Sequence, residues 1–155
     1  MTPAINSVEK AKLPFKVHQY EHDSNAASYG EEAAQKLNIS ASQVFKTLVV
    51  ALDSGVLAVS VIPVSHQLNL KAMASAVKAK KAKMAEPKAV ERSSGYVLGG
   101  VSPLGQKKLL KTVIDQQALD FDTIFVSAGR RGLEIELSPN DLAMMLQASF
   151  ASLAK

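Results

Sequence analysis

Several absences limit what this 155-residue chain can do. It has no cysteine, which excludes disulfide scaffolds, thiolate zinc sites, iron–sulfur clusters and a cysteine nucleophile. No apolar run approaches the roughly 18 residues that a membrane-spanning helix needs. Residues 1–25 also contain no apolar segment of the kind found in secretion signals. From these absences we expect a cytoplasmic protein that does not contact a membrane.

Aromatic residues and standard catalytic motifs are also scarce. The chain has five Phe, three Tyr and no Trp, and it lacks the spacing of a helix-turn-helix or a zinc finger. We therefore expect neither DNA readout nor an extended base-stacking surface. There is no Gly-x-Ser-x-Gly elbow, no Walker loop and no His-Glu-x-x-His motif. His18, His22 and His66 stand in unrelated contexts, where we expect solvent exposure, so the sequence predicts no metal site and no cofactor.

Positive charge is concentrated in one block. Residues 76–111 hold nine Lys or Arg against two acids, whereas residues 1–75 are neutral and residues 112–155 carry an excess of acids. The net charge of the whole chain is +4. Such a block is either a solvated helix face, which composition alone favours, or an electrostatic surface for a polyanion.

The patterning predicts helices and strands in an irregular order within one domain, residues 1–155. Two apolar runs, 44–52 and 56–62, flank Asp53-Ser54-Gly55 and indicate a β-hairpin. Capping residues and periodicity predict helices over 2–12, 28–37, 70–80, from 87 onward and 139–153, and strands over 15–20, 112–114, 123–127 and 133–137. Because no regular strand–helix–strand repeat appears, we predict an α+β fold with a mixed, mainly antiparallel sheet flanked by helices.

Three places could carry chemistry, and each also has a plain structural interpretation. Lys46 is a single ammonium within an apolar strand, so it either extends to a sheet edge or lies in a pocket and donates to an anionic or carbonyl oxygen. The glycines of the loop 99–103 either allow close approach to a ligand or belong to an ordinary connection. Ser127 and Glu134 flank the turn 129–132, where turn bonding and solvent exposure would account for them.

Three segments together resemble a known family. Residues 42–48 read SQVFKTL, residues 99–108 read GGVSPLGQKK and residues 125–134 read FVSAGRRGLE. Their order and spacing resemble the YbaK group of Cys-tRNA(Pro) deacylases, within the superfamily of free-standing and inserted prolyl-tRNA synthetase editing domains. The resemblance spans essentially the whole chain. It implies an α+β deacylase that clears cysteine wrongly loaded onto tRNA-Pro. The resemblance also implies tRNA-Cys and prolyl-tRNA synthetase as further partners.

The resemblance also implies roles for particular residues. Lys46 would position the terminal adenosine and its ester, and the backbone at Gly99 and Gly100 would hold the aminoacyl carbonyl. Family members commonly have Asp at the position of Glu134. The substrate-binding set implied by the resemblance is Tyr20, Tyr29, Phe45, Val101, Ser102, Pro103, Ser127 and Glu134.

The nucleophile implied by the resemblance is the thiol of the substrate's own cysteine. Its attack on the ester carbonyl would form a cyclic thioester and release the tRNA, which accounts for the missing catalytic triad. Two alternatives stay open at this point. One is a deacylase of another mischarged tRNA, such as Ala-tRNA(Pro), with a water nucleophile, and the other is a non-catalytic tRNA-binding module.

Overall fold

The strands of the computed structural model, which describes residues 1–25 and 28–155, form two sheets. The strands are β1 (Lys16–Gln19), β2 (Phe45–Leu52), β3 (Leu57–Pro63), β4 (Ala82–Met84), β5 (Lys111–Asp115), β6 (Ile124–Ser127), β7 (Leu133–Leu137) and β8 (Ser149–Ala151). The helices are α1 (Pro3–Ala11), α2 (Tyr29–Lys36), α3 (Leu70–Ala76), α4 (Pro87–Ser94) and α5 (Pro139–Leu146), with a 3-10 helix at Gln116–Asp120. The predicted α+β class is confirmed.

The smaller sheet has the order β1-β7-β6 and is antiparallel, and the larger has the order β4-β2-β3-β5-β8. In the larger sheet β2 pairs antiparallel with β3 and β4, whereas β5 runs parallel to both β3 and β8. The two sheets meet where a parallel bridge joins Val44 to Phe125, and the Phe125 N–H donates to the Gln43 carbonyl at 3.1 Å. This junction lies at the start of β2.

Side-chain caps begin the helices where the sequence predicts them. An Ncap side-chain oxygen accepts a hydrogen bond from a backbone N–H that would otherwise have no partner inside the helix. The Thr2 hydroxyl accepts from the Ile5 N–H at 3.2 Å, and the Asn69 amide oxygen accepts from the Ala72 N–H at 3.1 Å. Ser28 and Ser138 cap α2 and α5 in the same way.

Two helices are shorter than predicted. The structure ends α3 at Ala76 rather than residue 80, and Lys78 adopts a left-handed φ of 60°. It ends α5 at Leu146 rather than residue 153, because Gln147 adopts a left-handed φ of 52°. The segment released from α5 forms β8, whereas β4 lies just beyond the predicted end of α3; these two strands of three residues extend the larger sheet at opposite edges. At β8, sheet pairing thus outweighs the predicted helical periodicity.

The larger sheet is covered on both faces. On β3, Val59 and Val61 belong to a cluster shared with α1 and the smaller sheet, whereas Ala58 and Ile62 belong to a second cluster with Met73 of α3. A strand buried on both faces reads as a near-continuous apolar run, which explains the composition of residues 56–62, where only Ser60 is polar. The adjacent strand β2 carries a charged side chain, which is therefore unusual in this apolar environment.

Candidate active site

A cavity of about 300 Å³ opens beside the start of β2. It lies between β2, the N-terminal turn of α2, the loop at residues 99–103 (the glycine loop) and the β6–β7 hairpin. Its lining consists of Tyr20, Ser28, Tyr29, Gly30, Val44, Phe45, Lys46, Thr47, Leu48, Leu98, Gly99, Val101, Ser127, Arg130, Arg131 and Glu134. The volume falls at the low end of the range for small-ligand sites.

The wall of this cavity includes an unpaired stretch of β2. On one side of β2 the Gln43 carbonyl accepts from Phe125 of β6, and the Val49 carbonyl accepts from the Ala85 N–H at 3.0 Å. Peptide groups of alternate residues point to the same side of a strand. The parallel bridge already uses the Phe45 N–H, so the peptide groups of Thr47 face the gap between the two pairings, since β4 pairs only with residues 50–52 of β2. This edge offers backbone donors and acceptors to a ligand.

Lys46 lies half-buried in the cavity wall. Within residues 1–25 and 28–155, its ammonium has no hydrogen-bond acceptor and no carboxylate within 4.0 Å. Burial lowers the pKa of Lys46, and the charge of Glu31 acts in the opposite direction. A desolvated ammonium without a protein partner is equipped to donate to an oxygen of a bound molecule.

Glu134 lies on β7 opposite Ser127 of β6 and His18 of β1, and its exposed fraction is only 6%. Burial raises the pKa of Glu134 to about 8, because none of the described residues offers it a basic partner. At neutral pH its carboxyl is therefore mainly protonated and can donate a hydrogen bond. Burial, followed by the nearby charge of Glu134, raises the pKa of Tyr20 to about 12.

Both glycines at the start of the glycine loop permit close contacts. A Cβ on Gly99 would lie 2.7 Å from Tyr29 Cε2 and from Arg131 Nε, and Gly99 has a φ of +90°. A Cβ on Gly100 would lie 2.9 Å from the Arg130 Cα. The Gly100 N–H donates to the Val97 carbonyl at 3.0 Å. Gly100 thus shapes the loop and does not line the cavity, whereas Gly99 and Val101 do.

The structure places Ser102 and Pro103 outside the cavity lining. Ser102 is fully buried, where its hydroxyl accepts from the Leu104 N–H at 3.1 Å and its carbonyl accepts from the Gln106 side chain at 2.9 Å. Pro103 lines a smaller, separate cavity. These contacts give both residues a part in the loop's shape, since the chain turns away from the cavity after Val101.

Sequence reasoning missed the rim formed by the β6–β7 hairpin. Arg131 donates to the Tyr29 hydroxyl, its Cζ lies 3.8 Å from the centre of the Tyr29 ring, and Nη1 lies 3.5 Å from His22 Nε2. The predicted tight turn at 129–132 gave no reason to bring Arg131 to Tyr29, which is 102 residues away. Sequence reasoning also missed the Thr47 hydroxyl in the cavity wall, which has no hydrogen-bond partner among the described residues.

The expectation of solvent-facing histidines was wrong for two of them. His18 Nε2 lies 2.8 Å from a Glu136 oxygen, and His22 Nδ1 lies 2.7 Å from a Glu32 oxygen. Strand pairing brings His18 next to β7, and the cap of α2 brings Glu32 to His22. Among residues 1–25 and 28–155 no cluster of three metal-ligating side chains occurs.

The basic side chains of residues 76–111 do not line this cavity. They are exposed, and the Asp53 carboxylate accepts hydrogen bonds from the backbone N–H groups of Lys80 and Lys81 at 3.1 Å each. None of the following five lysines lines the cavity: Lys78, Lys80, Lys81, Lys83 and Lys88. Over the part of the chain that the structure describes, no helix is long and apolar enough to cross a membrane.

Comparison with known proteins decides the family. A family model of the aminoacyl-tRNA editing domain matches residues 23–145. The chain belongs to the aminoacyl-tRNA editing domain family. Editing removes the amino acid from a mischarged tRNA, so the chain is an aminoacyl-tRNA deacylase and its substrate is an aminoacylated tRNA. The resemblance to the YbaK group drawn from the sequence is thereby confirmed.

Individual relatives agree with this assignment. The chain is 36% identical over 152 residues to the "Putative Cys-tRNA(Pro)/Cys-tRNA(Cys) deacylase EbsC" of Enterococcus faecalis, covering 98% of this chain and 92% of that one. A crystal structure described as a "putative trans-editing enzyme for prolyl tRNA synthetase" superposes with a TM-score of 0.87 at 21% identity, covering 99% and 95% of the two chains. The crystal structure of the hypothetical protein APE2540 superposes with a TM-score of 0.87 at 24% identity, covering 99% of each chain. These two structures share the fold of the editing domain.

Proposed function

We propose that this editing domain acts in trans in the cytoplasm on cysteine esterified to tRNA-Pro, and on Cys-tRNA(Cys), with the substrate thiol as nucleophile. The observation that carries this mechanism is a cavity with hydrogen-bond donors but no activated nucleophile. Four of the cavity hydroxyls are occupied elsewhere or isolated among the described residues: Ser28 accepts a hydrogen bond from the Glu31 N–H at 3.5 Å, Ser127 accepts one from the Gly129 N–H at 3.1 Å, Tyr29 bonds to Arg131, and Thr47 has no partner. No described cavity hydroxyl contacts a general base.

The reaction then needs only orientation and charge stabilisation from the protein. The thiol sulfur attacks the ester carbonyl carbon and a C–S bond forms. The C–O bond to the ribose breaks, the thiol proton passes to the leaving ribose oxygen, and a cyclic thioester remains that water later opens to cysteine. Holding a reactive group beside its target supplies several orders of magnitude in rate.

Each cavity group has a place in this scheme. Lys46 donates to the ester or its oxyanion, helped by the unpaired peptide groups of β2. The protonated carboxyl of Glu134 donates to the aminoacyl group from the other side of the cavity. Tyr20, Phe45 and Val101 complete the walls, and the small volume limits the size of the side chain that enters. The description of EbsC as acting on Cys-tRNA(Pro) and Cys-tRNA(Cys) supports cysteine as the amino acid.

Prolyl-tRNA synthetase is the partner that this proposal includes. A structural neighbour is described as a trans-editing enzyme for that synthetase, which supports editing of its products after their release. A domain acting in this way would remove cysteine from tRNA-Pro before the ribosome uses it. Discrimination against a residue as small as cysteine is limited in a single pocket, so a second site is the expected remedy.

The decisive experiment compares three amino acids on the same tRNA-Pro: cysteine, serine and S-methylcysteine. The thiol mechanism predicts similar affinity but much slower release of serine and S-methylcysteine, by more than the roughly hundredfold that pocket fit alone can give. Equal rates on all three esters would contradict the thiol mechanism and indicate a water nucleophile. A separate assay with alanine on tRNA-Pro tests the alternative substrate, and its fast release would move the substrate assignment to Ala-tRNA(Pro).

A further inference from the structure

The rim of the cavity holds an arginine in a fixed position without neutralising it. The guanidinium of Arg131 lies over the Tyr29 ring, donates to the Tyr29 hydroxyl and reaches His22. Its Nε and Nη2 stand directly over Gly99, within 2.9 Å of where a Cβ would be. Three separate segments, α2, the glycine loop and the β6–β7 hairpin, therefore fix this one side chain.

No described carboxylate pairs directly with Arg131. In the described parts of the chain no carboxylate lies within 4.0 Å of its guanidinium. The Glu32 carboxylate is already bound by His22 at 2.7 Å and by the Asp23 N–H at 2.7 Å. The pKa of Glu134 is raised to about 8, which leaves that carboxyl mainly uncharged at neutral pH. The rim thus presents a cation to the solvent at the entrance of the cavity.

A preorganised guanidinium with unused donors matches a phosphate. Arg carries five N–H donors in a planar fork, and its contacts to Tyr29 and His22 leave several of them free. The N-terminal turn of α2 lines the same cavity through Ser28, Tyr29 and Gly30, and Glu31 and Glu32 in that turn offset the positive end of its helix dipole. A tRNA ester brings a phosphodiester one nucleoside away from the reacting bond.

We propose that Arg131 binds the phosphate on the 5′ side of the terminal, esterified nucleoside, while the ester itself reaches Lys46 inside the cavity. The proposal rests on the proposed function, because it assigns the substrate's phosphate to the same cavity. It gives the chain a contact with tRNA that is independent of base identity. It also explains why Gly99 must be glycine, since any Cβ there would displace both Arg131 and Tyr29.

The test compares two minimal substrates that differ only in the phosphate: 3′-cysteinyl adenosine and 3′-cysteinyl adenosine 5′-monophosphate. We expect the parent to prefer the phosphorylated ester in kcat/KM by about tenfold, the effect of one charge-assisted hydrogen bond. In Arg131→Gln this preference should fall to about one, and in Arg131→Lys it should be partly retained because the charge remains. Arg92→Gln removes one charge from α4, outside the cavity, and should show the parent's preference.

Two results would overturn the proposal. One is a parent enzyme that does not distinguish the two esters, and the other is an Arg131→Gln variant that keeps the preference. A parent that cleaves neither ester and also fails to deacylate Cys-tRNA(Pro) would instead contradict the proposed function. If neither minimal ester is cleaved, calorimetric binding of the non-hydrolysable 3′-amide analogues, with and without the 5′-phosphate, decides the role of Arg131 by the ratio of the two affinities. Circular dichroism of each variant verifies that it is folded.

Discussion

Replacing Glu134 by Gln should stabilise the folded chain, and by more at alkaline than at acidic pH. Glu134 is buried beside the cavity with no basic partner among the described residues, and burial raises its pKa to about 8. Gln has nearly the same shape and never ionises. The variant therefore resembles the parent where Glu134 is protonated and differs from it where the parent must bury a charge.

The sign and size follow from proton linkage. The usual pKa of 4.5 applies to the unfolded chain, so between pH 4.5 and about 8 the folded chain binds more protons than the unfolded one. The contribution of Glu134 to the parent's free energy of unfolding is therefore fully present below pH 4.5 and is lost as the pH rises through about 8. The advantage of the variant should grow by about 4 kcal/mol between pH 5 and pH 9.

Urea unfolding followed by circular dichroism at pH 5, 7 and 9 measures this difference directly. Glu136→Gln is a matched control on the same strand: burial alone would raise the pKa of Glu136, but hydrogen bonds from Thr123 and His18 and the charges of His18 and Lys16 together lower it. Glu136 contributes stability above its unfolded pKa that is lost as the pH falls, so this control should be destabilised at pH 7. Parallel curves for Glu134→Gln and the parent from pH 5 to pH 9 would refute the buried, protonated carboxyl.

Three further changes test the site and the charged surface. Lys46→Met keeps the aliphatic stem but removes the donors, so kcat/KM for deacylation should fall by about a hundredfold with an unchanged circular dichroism spectrum; a parental rate would remove Lys46 from the mechanism. Gly100→Ala forces a Cβ to 2.9 Å from the Arg130 Cα and should lower the free energy of unfolding by about 1–3 kcal/mol in urea titration; an unchanged midpoint would mean that the loop yields freely. Neutralising Lys78, Lys80, Lys81, Lys83 and Lys88 should weaken tRNA binding and flatten its salt dependence with little change in turnover at saturation; equal salt slopes would make the block a solvated face.

Features with a local sequence signal were predicted well. The β2–β3 hairpin follows from two apolar runs around a short turn, and the caps at Thr2, Ser28 and Asn69 follow from residue type alone. β4 and β8 have no such signal. Each is a three-residue strand whose structure depends on an edge of the larger sheet, and residues Lys78 and Gln147 that stop the preceding helices are not the usual glycines.

The residues of the site also divide into those with a local sequence signal and those without one. Lys46 could be singled out because one charge in an apolar strand contradicts its surroundings, and that contradiction is visible in the sequence. Arg131 could not, because its position depends on Tyr29 and Gly99 arriving from distant segments. Ser102 and Pro103 lie next to the cavity loop in sequence, yet a turn after Val101 directs them into the interior.

The cavity contains polar groups whose burial lowers the stability of the folded protein. Lys46 is desolvated without a partner, Glu134 is buried with a raised pKa, and the Thr47 hydroxyl has no hydrogen bond among the described residues. Apolar residues at these three positions would extend the surrounding core and raise stability. Titratable groups with perturbed pKa values that converge on one cavity are typical of catalytic sites. A bound ester supplies the partner that each group lacks, so the unfavourable burial in the free protein becomes selective stabilisation of the substrate and its transition state.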